Sequence, residues 1–412
     1  MTATDLPAVD RALGVTAPRG FRAAAATCGI KASGRPDLAV LAAEADVPAA
    51  ALFTTNRVVG AAVQVSREHL ARRRTMRGIV ATSGNANTCT GPQGLADARD
   101  ILAGVARELG CPADALLLAQ TGIIGRPMPM EKVRPGIPAV CAALAAGPRA
   151  DAAFAEAIMT TDTRPKQAGV RLGLAGRTVT VAGATKGVGM IEPNMATTLS
   201  FLTTDAAVEP DLLDAMLRAA ADRSYHCLTV DGHASTSDTL AVLASGAAMA
   251  GAPPVADGSA EADAFQAALT AVCADLAYQI AADAEGGTKV IEVLVTGAAD
   301  DAEARAAARA IANSPLVKCA FFGRDPNWGR IVSAAGAAGI SSPPETMRLT
   351  LGDVVVFEGG VPVAADARAL ARVMAARDIR AHLDLGAGAG RARYLTCDFS
   401  YDYVKINAEY TT

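Results

Sequence analysis

The chain has 412 residues, of which 51% are hydrophobic and 19% charged, and its formal net charge is −4. No block of like charge stands out, so a basic footprint for phosphate backbones is excluded, and the length calls for two lobes or one large layered core. The start, MTATDLPAVDRALG, carries acidic residues and no apolar run of signal-peptide length, and no later apolar segment is expected to reach the roughly 20 residues that span a bilayer. A cytoplasmic protein without nucleic-acid or membrane partners is the expectation.

In chain order, GIVATSG (Gly78 to Gly84) reads as a buried strand running into a polar glycine loop. GLADARDILAGVARELG follows, with Ala98, Ile101, Leu102, Val105 and Leu109 at helical spacing before a capping Gly110. RTVTVAGATKG alternates threonine and valine as a strand does, and PDLLDAMLRAAADRS is an amphipathic helix after Pro210. GAPPVADGSAEAD (Gly251 to Asp263) is expected to be a flexible surface loop. A long helix then places Phe265, Leu269, Val272, Leu276 and Ile280 on one face and ends at Gly286-Gly287, before the strand KVIEVLVTG. RLTLGDVVVFEGGVPV reads as two strands joined by a turn at Glu358 to Gly360, and YLTCDFSYDYVKI reads as strand. Strands and helices interleave throughout, which predicts a layered α/β fold.

Several motifs fail on inspection. GAGAG at Gly386 to Gly390 has Arg391 where a third dinucleotide-loop glycine belongs, and no helix is expected after it. GATKGVGM lacks the Lys-Ser/Thr ending of a phosphate loop. The eight cysteines form no C-x-x-C pair and have no histidine at ligand spacing, so they read as small buried hydrophobes. His226 and His233 flank LTVDG without acidic or thiol partners at coordinated spacing, which points to a loop pair and to no metal site.

The unexplained stretch is ATKGVGMIEPNMATTLSFL, where glycines, Pro193 and a Met-Ala pair lead to Thr197 and Thr198. A threonine hydroxyl is a weak nucleophile unless a base adjoins it. A free α-amino group, with a pKa near about 7.7–8.0, is such a base, whereas a peptide nitrogen is not. If the Thr197 hydroxyl attacked the carbonyl of Ala196, an N-to-O acyl shift and hydrolysis would cut the chain and release that amine. Spacing alone leaves open a second reading, in which the threonine pair merely starts a buried strand TTLSFLTT.

KGVGMIEPNMATTLSFLTTD resembles the self-cleavage segment of the ornithine acetyltransferase (glutamate N-acetyltransferase) family. GVTAPRGFRAAAATCGIK, DVPAAALFTTNRV, ATSGNANTCTGPQG, AIMTTDTRPK, FFGRDPNWGRI and YVKINAEYTT resemble that family's blocks in the same order, over essentially the whole chain. The resemblance implies a cut between Ala196 and Thr197, giving an alpha chain of residues 1–196 and a beta chain of 197–412 in one α/β fold, assembled as a heterotetramer of two copies of each. It implies Thr197 as nucleophile and Thr121 with Gly122 as the oxyanion hole. Substrate contacts are implied at Thr160 (with Thr161 as a neighbouring register), Lys186, Thr197, Glu285, Asn407 and Thr412, with an ordered C-terminal tail.

The implied reaction is a two-step acetyl transfer from N2-acetylornithine to glutamate through an acetyl-threonine, with no cofactor or metal; bifunctional members also use acetyl-CoA. The chain departs from the commoner family pattern at His226, Cys227, His233 and Thr411, and His233 is expected in a loop. Two other classes share some of these features: an N-terminal-nucleophile amidase or aminopeptidase, in which water resolves the acyl-enzyme, and an uncut metabolite-binding protein.

Overall fold

The computed structural model describes residues 6–192 and 198–409. They form two compact units, the first taking in the chain up to His226 with Ala234–Ile280, the second Cys227–His233 and the chain from Ala281 on.

The first unit holds β1 (Phe21–Ala26), β2 (Leu38–Phe53), α1 (Ala61–Arg72), β3 (Thr75–Asn85), α2 (Gly91–Leu109), β4 (Leu116–Ile123), α3 (Met130–Ala142) and α4 (Pro148–Ala157). It continues with β5 (Lys166–Leu174), β6 (Arg177–Lys186), β7 (Leu199–Thr204), α5 (Pro210–Asp222), β8 (Thr239–Ala244) and α6 (Ala260–Ala281). Eight strands share one sheet in the order β4-β3-β2-β8-β7-β6-β5, with β1 also on β2. The pairs β3/β4 and β7/β8 are parallel, the others antiparallel.

The 16-residue β2 makes this sheet continuous. Leu38 to Ala42 pair with β1 and β3, the register shifts between Ala42 and Val47, and Ala49 to Phe53 pair with β8. Because side chains alternate along a strand, Leu38, Val40 and Ala42 enter a core with α1, α2 and α3, while Ala39, Leu41 and Ala43 enter a second core with Phe154 of α4 and Phe201 of β7. Burial on both faces explains why these strands read as nearly unbroken apolar runs.

The second unit holds β9 (Val290–Ala298), α7 (Asp301–Asn313), α8 (Pro315–Phe322), α9 (Trp328–Ala337), β10 (Arg348–Leu351), β11 (Val354–Glu358), β12 (Val361–Pro362), α10 (Ala367–Ala375), β13 (Asp378–Asp384), β14 (Gly390–Cys397) and α11 (Tyr401–Glu409). Its sheet order is β12-β11-β10-β13-β9-β14, over a core that includes Ile291, Val293, Ala307, Ile311 and Leu349. The α7 N-terminus is capped reciprocally: Asp300 accepts from the Glu303 N–H, and Glu303 accepts from the Ala299 N–H.

The predicted α2, α5, β3, β6 and β9 are present, and all five residues placed on the inner face of α6 are fully buried. Several expectations need correction. The 22-residue α6 is apolar and long enough to cross a membrane, contrary to the sequence reading, but its apolar face lies in the core. It ends at Ala281, five residues before the Gly286-Gly287 pair. The expected surface loop covers residues 251–259, tied down where buried Val255 donates its N–H to the Ala207 carbonyl, and α6 takes over at Ala260. RLTLGDVVVFEGGVPV forms three strands, with a first turn at Gly352-Asp353 and the expected turn at Gly359-Gly360 leading to β12. YLTCDFSYDYVKI is strand only to Cys397 and becomes helix at Tyr401. Only Cys273 and Cys397 are buried; Cys89 and Cys319 are exposed.

Phe154 and Phe201 meet edge to face at 5.7 Å between ring centroids, both fully buried. Phe201→Ala is expected to cost about 3–5 kcal/mol by urea unfolding, and a loss below about 1 kcal/mol would show that this core closes around the deleted ring.

Candidate functional site

The parallel β3/β4 pair sets Thr121 beside Ser83 and Gly122 beside Gly84. Gly122 has φ +131°, and a Cβ there would lie 2.3 Å from the Gly84 carbonyl carbon, so only glycine fits this approach. Lys186 closes β6 opposite Leu199 of β7. Its ammonium, on a side chain 3% exposed, donates to Thr121 Oγ1 at 3.3 Å. Two residues 65 apart in the chain, both expected in the site, are thus in contact. An ammonium has no acceptor capacity, so Thr121 must accept here and keeps its own hydrogen for another acceptor.

A carboxylate the sequence reading missed organises this region. Asp162 has a side chain with 0% exposure. Its Oδ1 accepts from Lys166 Nζ at 2.6 Å and from the Gly187 N–H at 2.8 Å, and its Oδ2 accepts from the Thr160 N–H at 3.1 Å. Burial pushes this carboxyl up, but the charges of Lys166 and Lys186 and the Gly187 N–H outweigh it and hold it below the usual carboxylate range. Thr160 is thereby fixed through its backbone, and its carbonyl accepts from Arg35 Nη2 at 3.1 Å. Lys31 donates to the carbonyls of Pro36 and Ala157 at 2.7 and 3.2 Å. Its pKa is lowered to about 8 by burial and by Arg35 and Lys186, against the pull of Asp37 and Asp162.

Ala196 and Thr197 lie outside the described residues. The residue that follows them is held firmly: the Thr198 N–H donates to Asp238 Oδ1 at 3.1 Å, and the Thr198 carbonyl accepts from the Thr239 N–H at 3.0 Å. Burial pushes the Asp238 carboxyl well above its ordinary value, against the Thr198 N–H, the charge of Lys186 and the nearby hydroxyls of Thr54 and Ser235. Sequence reading missed Asp238 too. The signal available was an acidic residue just before TLAVLA, a strand that is apolar after its first residue.

In the second unit, Asn407 of α11 donates from Nδ2 to Glu285 Oε2 and to the Tyr403 carbonyl, each at 3.0 Å. Gly286 makes this possible with φ +65°, since a Cβ would lie 2.4 Å from the Tyr403 nitrogen. Thr412 and Thr411 lie outside the described residues. Of the departures, His226 is paired with Asp222 at 2.7 Å in a short turn, and His233 is exposed in the loop after the bend at residues 230–232, as the loop reading expected. Surface clefts of about 370 and 430 Å3 lie elsewhere in the first unit, lined by residues such as Phe53, Arg67 and Arg218 in one and Val58, Thr90 and Leu95 in the other. Neither includes Thr121 or Lys186. Among the described residues no cluster of histidine, cysteine and acidic side chains has metal-ligand geometry.

The sequence profile of the ArgJ family matches residues 22–412. The arginine biosynthesis bifunctional protein ArgJ of a Synechococcus strain is 48% identical over 408 residues, 97% of each chain. That of Symbiobacterium thermophilum is 49% identical over 403 residues, 97% of this chain and 98% of its own. A crystal structure of ornithine acetyltransferase complexed with ornithine, from Mycobacterium tuberculosis, is 38% identical, covers 47% of this chain and 99% of its own, and has a TM-score of 0.43. A profile match from residue 22 to the last residue, with two relatives near half identity over almost the full length, makes this chain a member of the ArgJ family.

Proposed function

We propose that this ArgJ family member is a self-processing acyltransferase of arginine biosynthesis, which cuts itself between Ala196 and Thr197 and moves an acetyl group from N2-acetylornithine to glutamate. The observation that carries the site assignment is the bond from Lys186 to Thr121 beside Gly122: a hydroxyl polarised by a buried ammonium, next to a backbone that only glycine can bring so close.

In this reading the released α-amine of Thr197 takes the proton of its own hydroxyl, directly or through a water, as the oxygen attacks the acetyl carbonyl. Thr121 and Gly122 hold the charge that develops on the carbonyl oxygen; losing one such donor costs about 10² to 10³ in rate. Ornithine leaves with the proton, and the amine of glutamate then attacks the ester. Lys186 and Thr160 bind the acetylated amino acid, the ammonium facing its carboxylate. Glu285, hydrogen-bonded by Asn407, offers a carboxylate to an amino group, and Thr412 completes the contacts. Acetyl-CoA as a second donor fits the word bifunctional in the relatives' name. Two alpha and two beta chains form the assembly, in the cytoplasm.

Denaturing electrophoresis with N-terminal sequencing should give two chains, the second starting at Thr197, while Thr197→Ala leaves one inactive chain of 41.7 kDa; efficient cutting in that variant would remove Thr197 from the chemistry. Lys186→Met should lower kcat/KM for N2-acetylornithine about 10- to 100-fold, the equivalent of a charged hydrogen bond of roughly 1.5–3 kcal/mol, and an unchanged value would assign carboxylate binding elsewhere.

Asp162→Asn removes a buried charge partner of Lys166, at a cost of about 3–5 kcal/mol near neutral pH. Because the folded carboxyl titrates below its ordinary value of 3.8, its contribution is complete above that pH and fades as pH falls through the folded value. Denaturant unfolding at stepped pH should therefore show the gap between variant and unsubstituted protein narrowing below about pH 4, and a gap that widens there would contradict the charged pair.

A further inference from the structure

We propose that Asp238 is a positioning residue for the chemistry at Thr197, acting through its grip on the amide of Thr198. The inference rests on the function proposed above and adds a residue to it.

Both backbone groups of Thr198 are taken by consecutive residues at the start of β8: Asp238 Oδ1 accepts its N–H at 3.1 Å, and the Thr239 N–H donates to its carbonyl at 3.0 Å. Asp238 is itself anchored, since its carbonyl accepts from the Thr54 N–H at 3.1 Å just beyond β2, and Thr54 Oγ1 donates to the Ser235 carbonyl at 2.5 Å. The Thr198 N–H belongs to the planar peptide unit that also contains the carbonyl carbon of residue 197. A grip on that N–H acts on a peptide unit covalently shared with the proposed nucleophile. Misplacing a reacting group by about 1 Å costs about 10²-fold in rate.

Two further atoms point to chemistry at this spot. Asp238 Oδ2 and Thr198 Oγ1 are buried and have no hydrogen-bond partner among the described residues. Asp238 and Thr198 are 0% and 1% exposed, and each stands one residue before its strand of the parallel β7/β8 pair. Leaving such groups unpaired is costly, and in a region where Asp162, Thr54 and Thr185 are all satisfied they stand apart. Burial raises the pKa of this carboxyl, and an uncharged acceptor of the same shape would still take the Thr198 N–H.

Three variants test this in the full chain: Asp238→Asn, which keeps a neutral acceptor of the same shape, Asp238→Ala, which removes it, and Asp238→Glu, which keeps the acid and displaces it by a methylene. Cutting is followed by denaturing electrophoresis during cell-free synthesis, with far-UV circular dichroism of the products, and acetyl transfer by cut material is measured across pH. The alanine and glutamate variants should cut at least about 10-fold more slowly while Asp238→Asn cuts within about 3-fold of the unsubstituted chain and keeps its pH profile. If the alanine variant does not fold, the glutamate and asparagine variants carry the comparison. Cutting by Asp238→Ala or Asp238→Glu at the unsubstituted rate overturns the proposal, as does an asparagine variant as slow as the others. An unsubstituted chain that is never cut before Thr197 would instead defeat the proposed function itself.

Discussion

A carboxyl group sealed away from water is either paired or pushed toward its neutral form, and the first unit shows both tendencies. Asp162 stays charged because an ammonium and two backbone N–H groups reach it at hydrogen-bonding distance. Asp238 meets one backbone N–H at hydrogen-bonding distance, and burial pushes its carboxyl well above the ordinary value. A neutral Asp162 would remove a charge partner of the Lys166 ammonium, which has no exposed surface. Through Asp162 the segment after α4, the start of β5 and the end of β6 hold one arrangement, and Lys186, one residue before Gly187, takes its place from it.

The elements legible in the sequence were those whose period matches their burial. In α2 and α6 the apolar residues recur on one face that meets the core, and β3, β6 and β9 carry the branched side chains that strands favour. The misreadings came where tertiary contacts overrode local signals. Gly352 splits one expected strand into two, and Tyr401 begins a helix although aromatic and β-branched residues there suit a strand. Gly286 looked like a helix cap because a Gly-Gly pair usually is one, whereas its positive φ serves the close passage of α11.

Site residues were legible by resemblance, and the structure joins Thr121 to Lys186 and Glu285 to Asn407. The residues that hold them were not. Asp162 and Lys166 sit four apart in TTDTRPK, a pattern that on a helix would be an ordinary surface pair. Their burial follows from where β5 starts in the sheet, which periodicity cannot show. Asp238 was hidden for a similar reason: a polar run before an apolar strand reads as a loop.

The order of strands in the first unit has a consequence for a nicked protein. Strand β7 lies between β6 and β8, and β8 lies against β2, so the two strands from after residue 196 are inserted between strands from before it. Breaking the covalent link there would interrupt no interstrand ladder. The two polypeptides would remain woven into one another, inseparable without unfolding, and would travel through any gentle purification as a single particle.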